Sequence, residues 1–250
     1  MSLARVNMWD IVKKQFQYKL KSYSQSLMSL MSLQLIAIVF SLGGTGSMSG
    51  GSGTLDAEVH YYSADLVVVF TILWGFITAI LTTTKGYRYD DLVFISNRVT
   101  SNLSNTLVLL IASLVGGITS MLSTYLLKVI LHYLFNSYVN GGVQAGTSFL
   151  ELILGIFTVS FYVLLFCGFG YLVGTFVQIS KIFVLLLPAL IIGSILLAGY
   201  SGEVGVLETV SKFYVMETSL PIFIIKIIGS VLMLFTGAFI LSNRMEVKQG

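Results

Sequence analysis

Charge is scarce in this chain: 14 basic and 11 acidic side chains among 250 residues, 10% of the total, where an average soluble domain has roughly a quarter. So few charges exclude an intrinsically disordered chain and the basic stripe of a nucleic-acid interface. A single cysteine, Cys167, excludes a disulfide framework and a multi-cysteine metal site. The two histidines, His60 and His132, stand far apart with no HExxH spacing. There is no GxSxG elbow, and the one adjacent acidic pair, Asp90 and Asp91, lies in a polar loop. The chain also lacks GxxxxGK[ST], the loop that cradles nucleotide phosphates, so any ATP must be handled by another polypeptide. No catalytic residue and no metal ligand is therefore assigned, and the chain is not read as an enzyme.

What is present is apolar. Hydrophobic residues make up 56% of the chain, with a mean hydropathy of +0.90, a supply close to that of six helices of about 20 apolar residues. The predicted fold is all-α and membrane-integral, one transmembrane domain over residues 1–250, with spans at about 24–42, 64–83, 103–135, 148–176, 182–199 and 221–242. The first long apolar run opens near Leu27, behind several basic residues. The N-terminus is thus expected to stay in the mature protein rather than act as a cleaved export signal.

The basic residues orient the spans. Arg5, Lys13, Lys14, Lys19, Lys21, Lys85, Arg88, Arg98, Lys181, Arg244 and Lys248 all fall on one side, and Lys212 alone falls in the loops of the other. By the positive-inside rule the first side, with both termini, is cytoplasmic. Lys128 and Glu151 sit at the outer ends of adjacent spans, where they can form an ion pair, and Lys226 is placed to snorkel outward. No chain of acids or histidines crosses the middle of the membrane, which argues against proton-coupled transport. Small residues recur where helices must approach closely: Gly116, Gly117 and Ser120, then Gly168, Gly170 and Gly174.

Four segments lie between or beside the spans. Residues 4–23 predict an interfacial helix, with Met8, Trp9, Val12, Phe16, Leu20 and Tyr23 on one face and Asp10, Lys14, Gln17 and Lys21 opposite. Lys19 falls near the apolar face and is expected to snorkel to the headgroups of the membrane lipid. The Gly/Ser-rich stretch GGTGSMSGGSGTLDAEVHYYS reads as a mobile outer loop. Residues 85–102 are longer than a simple reversal needs. Asp90 or Asp91 can cap a short helix carrying Leu92, Val93 and Phe94, with Ser96, Asn97 and Arg98 following. In the outer loop 200–220, Val206, Leu207, Val210, Phe213 and Tyr214 recur at helical spacing, opposite Glu208, Ser211 and Lys212. Pro188 in the fifth span removes a backbone donor and predicts a kink.

An amphipathic N-terminal helix, six spans with both ends inside, a helical cytosolic loop after the second span and a helical outer segment before the sixth make a recognisable layout. It resembles the membrane subunit of ABC-2-type ATP-binding-cassette exporters, over the whole chain in architecture and locally in DDLVFISNRVTSNL. Asp90, Asp91, Leu92, Val93, Phe94, Ser96 and Arg98 match that family's coupling helix, while Asn97 interrupts its Ser-Arg step and Ile95 stands where proline or a small residue is usual. The resemblance implies a permease subunit in a bacterial cytoplasmic membrane. It would pair with a second copy or a similar permease and bind cytosolic ATPase subunits that supply ATP and Mg. The substrate expected is amphipathic, a peptide toxin or antibiotic or a lipid-like molecule. The alternative is a stand-alone immunity or assembly protein without ATP coupling.

Overall fold

The computed structural model describes residues 8–22, 24–43, 46–51, 56–61, 63–84, 86–87, 98–135, 149–201, 205–217 and 219–244. Among these the chain order is α1 (Met8–Ser22), α2 (Ser24–Leu42), β1 (Gly46–Gly51), β2 (Asp56–Tyr61), α3 (Asp65–Thr83), α4 (Arg98–Phe135), α5 (Phe149–Ile179), α6 (Phe183–Ser201), α7 (Val206–Val215) and α8 (Leu220–Arg244). Helices α2, α3, α4, α5, α6 and α8 are long and apolar enough to cross a membrane. The chain is a multi-pass membrane protein built of helices, with one small hairpin among the described residues.

Several boundaries differ from the sequence expectation. Helix α4 starts at Arg98 rather than near 103, because Val99 to Ser104 continue in helical conformation with most of their polar side chains taken up inside the protein. At 38 and 31 residues, α4 and α5 are about 57 and 46 Å long, well beyond an apolar layer of about 30 Å. The Gly/Ser-rich segment is not simply a mobile loop. Strands β1 and β2 pair antiparallel from Gly46↔Tyr61 to Gly51↔Asp56. The physical reason lies in the helices on either side: α2 and α3 pack together, so their connection starts with its ends close and the entropy of closing it is small.

Helix ends are satisfied locally. Ser63 Oγ accepts the amide of Asp65 at the start of α3. At its other end Thr82, Thr83 and Thr84 each donate a hydroxyl, at 2.7 Å, to the carbonyls of Ala79, Ile80 and Leu81, so the last turn need not expose them. Helix α6 runs through Pro188 without a break, although the Val184 carbonyl loses its intrahelical donor there.

The chain falls into two compact units, one comprising Gln17–Gly75 and Leu107–Phe166, the other Met1–Phe16, Phe76–Thr106 and Cys167–Gly250. In the first, Ala37, Ile38, Val67, Leu127 and Leu131 form a buried apolar cluster from α2, α3 and α4, and Phe40 stacks on Phe70 at 6.4 Å. Gln34, 2% exposed, donates its amide to Thr71 Oγ1 and Thr119 Oγ1, each at 3.0 Å. Trp74 Nε1 donates to Ser29 Oγ at 3.1 Å. Gly117 lets α4 meet α5, since a Cβ there would stand 2.8 Å from the Ile156 carbonyl oxygen. In the second unit a Cβ at Gly170 of α5 would collide with the Phe76 carbonyl oxygen of α3 and stand 3.1 Å from Ala79 Cβ.

Candidate functional site

Of the sequence-predicted coupling residues, Asp90, Asp91, Leu92, Val93, Phe94 and Ser96 lie outside the described residues. Arg98 is described, as the first residue of α4. Its guanidinium turns into the protein, where Nη1 donates to the Ser242 carbonyl of α8 at 3.0 Å. Ser242 is among the last four carbonyls of α8, which have no intrahelical donor, so Arg98 caps that helix with a positive charge at its negative end. The chain thus spends this arginine on its own last helix.

One turn further on begins a buried polar patch. Thr100, Asn102, Ser104 and Asn105 of α4 are buried, as are Tyr171 and Thr175 of α5, Ser242 of α8, and Thr82 and Thr83 of α3. The centre is Tyr171. Its hydroxyl donates to Asn102 Oδ1 at 2.9 Å and accepts from Asn105 Nδ2 at 3.5 Å, while its ring packs on Phe235 of α8 at 5.6 Å. Asn102 Nδ2 is buried and meets no acceptor. Sequence reasoning passes over these residues. The signal it offers is the spacing of Asn102 and Asn105, three apart and hence on one edge of a helix entering an apolar span.

Helix α1 forms as predicted but inserts differently. Its buried ridge is Val12, Gln15 and Lys19, at 1%, 0% and 3% exposure; Phe16 and Leu20 are half-buried, and Trp9 is 64% exposed. Lys19 does not snorkel. It lies buried inside the protein, and neither amide atom of the fully buried Gln15 meets a partner. The ridge is rotated toward the polar side because these two long side chains can carry their apolar stems inward. Trp9, Phe16 and Leu20 form one flank of the helix, and Lys14, Tyr18 and Lys21 the other.

A second polar junction ties α7 to α8. The α7 helix carries Glu208 and Lys212 as an i,i+4 pair at 2.7 Å, on the side the sequence assigned to them. Lys226 of α8 is engaged by the far end of α7 rather than snorkelling freely. Its Nζ lies 2.5 Å from Glu217 Oε2, donates to the Phe213 carbonyl at 3.4 Å and stands 4.3 Å from the centroid of the Phe213 ring. Phe213 is in the last turn of α7, so Lys226 caps it from another helix. Ser219 Oγ donates to Glu217 Oε1 at 3.2 Å, and Tyr214 and Ser230 hydroxyls meet at 2.7 Å. The hydrogen bond from Lys226, more than its charge, holds the Glu217 carboxyl below its ordinary pKa.

The remaining candidates are dispersed. Lys128 is half-buried on α4 with Nζ 5.4 Å from the Tyr125 ring centroid, and Glu151 is exposed in the first turn of α5. Cys167 is fully buried in α5. Among the described residues no group of three or more His, Cys, Asp or Glu could hold a metal ion. Comparison with protein-family models, curated proteins and solved structures returns no match.

Proposed function

We propose that this chain is the permease subunit of an ABC-2-type exporter, moving an amphipathic substrate outward across a bacterial cytoplasmic membrane, with both termini in the cytoplasm. The observation that carries the reading is the fastening of the start of α4, next in sequence after the stretch 88–97: its first residue, Arg98, caps α8 and its next turns engage α5 through Tyr171. A force applied through that stretch would reach two further spans. A loop that only reversed the chain would have no use for such attachment. In the sequence Leu92, Val93 and Phe94 follow Asp90 and Asp91, a composition that suits a plug for a groove on a cytosolic ATPase, which would bind ATP and Mg.

Helix α6 supports a paired permease. None of its described side chains is fully buried by the rest of the chain, leaving a broad helical surface for lipid and a second subunit. The absence of a charged relay through the spans favours an amphipathic passenger over an ion.

The test is co-purification of the tagged chain from its native membrane, followed by reconstitution with the P-loop ATPase recovered. Phe94→Asp is expected to abolish that association while leaving the permease folded, because a carboxylate cannot enter an apolar groove without a partner. Full biological activity in cells deprived of the ATPase would instead establish the immunity or assembly reading.

A further inference from the structure

We propose that the outer edge of β1 pairs antiparallel with β1 of a second copy of this chain, about a two-fold axis at Met48, so that two hairpins form one four-stranded sheet in the order β2-β1-β1-β2. Among the described residues β1 is hydrogen-bonded to β2 and to no other strand, which leaves the backbone groups along its other side for a further partner. A two-stranded ribbon is marginal in water, and three or more strands are what make a small sheet stable. In β1, GSMSGG, Met48 is the one apolar residue other than glycine, so the strand has little of its own to hold it flat.

The chemistry of the two edges decides which is used and by what. Strands that must not associate are protected by charge or proline. β2, DAEVHY, carries such protection in Asp56 and Glu58; pairing β2 with its own copy would gather the carboxylate-bearing residues of both chains on adjoining strands of one face, where like charges oppose association. β1 has no charged residue and no proline, so the same pairing meets no electrostatic cost. A two-fold axis normal to the sheet reverses the strand and keeps its faces. It makes the β1 edge its own complement, and a second copy suffices as partner.

The register places the axis. Met48 stands directly across from Val59, so strand alternation sets it on the face of Ala57, Val59 and Tyr61, with Asp56 and Glu58 on the other. With the axis at Met48 the two methionines are opposite each other, and the row across four strands reads Val59, Met48, Met48, Val59. The apolar residue of β1 thereby joins a continuous apolar row, and Ser47 stands opposite Ser49 of the second copy. The proposal rests on the pairing of two copies in the function proposed above and is independent of the ATPase.

The test uses the full chain carrying Cys167→Ala in its native membrane, with two differently tagged copies co-expressed. Mild oxidation of Met48→Cys is expected to give a disulfide-linked dimer, because directly opposed residues of an antiparallel pair have Cα atoms about 4.5–5.5 Å apart, within disulfide reach. Val59→Cys, in the same row but three strand spacings from its counterpart, about 14 Å, is expected to remain monomeric. Equal cross-linking at both positions, the mark of random collision, overturns the strand pairing, as does a Met48→Cys adduct with a different polypeptide. Charge exchange gives a readout that misfolding cannot imitate. With Ser47→Cys in one tagged copy and Ser49→Cys in the other as reporters, cross-linking is expected to be lost when both carry Met48→Asp or both carry Met48→Lys, and restored when one carries each. Cross-linking indifferent to these charges overturns the axis at Met48. Tagged copies that co-purify without any Met48→Cys dimer overturn the strand pairing alone, whereas copies that never associate overturn the paired reading and this proposal with it.

Discussion

Lys226 shows how a single charge is kept in a chain that has few. One ammonium group meets a carboxylate, a helix-terminal carbonyl and an aromatic face, three acceptors that together replace much of its hydration. Because the folded-state pKa of Glu217 is lowered, its contribution is fully present above the unfolded carboxylate value of about 4.3 and is lost as pH falls through the folded value. A spin label at Val210→Cys on α7 is therefore expected to stay immobilised from neutral pH into the mildly acidic range, and to gain mobility only below the ordinary carboxylate range. In Glu217→Gln the label is expected to be more mobile at neutral pH, with that acid transition gone. The sequence expects Lys226 to snorkel outward, and its partner Glu217 was invisible there. Glu217 is nine positions away across a turn, and helical spacing links only residues three or four apart.

At the scale of elements, close approach decides which helices are neighbours. Gly170 presses on the Phe76 carbonyl, whereas a Cβ at Gly193 in α6 would meet nothing within 4 Å. Gly170→Ala is expected to cost about 1–3 kcal/mol, since backbone cannot step aside as a side chain can. Gly193→Ala should be neutral or slightly stabilising through helix propensity; thermal unfolding in detergent checks both. The glycine spacing in α5 is readable from sequence, but not which partner it serves. The same holds for α1, whose apolar periodicity locates the helix while its orientation is set by Gln15 and Lys19. Hydrophobic pattern ranks faces by polarity, and a protein can bury a polar face when its long side chains carry their apolar stems inside.

For the whole molecule, the spans and the short helix before the last span were legible because membrane hydropathy and turn composition are local properties. The polar centre around Tyr171 was not, since it assembles residues from helices far apart in sequence. The surface of α6 extends this reasoning to assembly. Leu185, Ile192 and Leu196 share one face and are exposed, so Leu185→Cys with Leu196→Cys is expected to give a disulfide-linked dimer in native membranes; monomer alone would mean that lipid covers this face. Mobility is not spread evenly through such a structure. Helices α2 and α3 are fastened at successive heights by Ser29 with Trp74, Gln34 with Thr71 and Phe40 with Phe70, and then by the strand ladder that begins at Gly46↔Tyr61. That paired segment closes like a zip with a stop at its end. Opening it demands that every fastening be undone in turn, so it serves as a fixed frame of reference, and conformational work falls to helices with fewer ties.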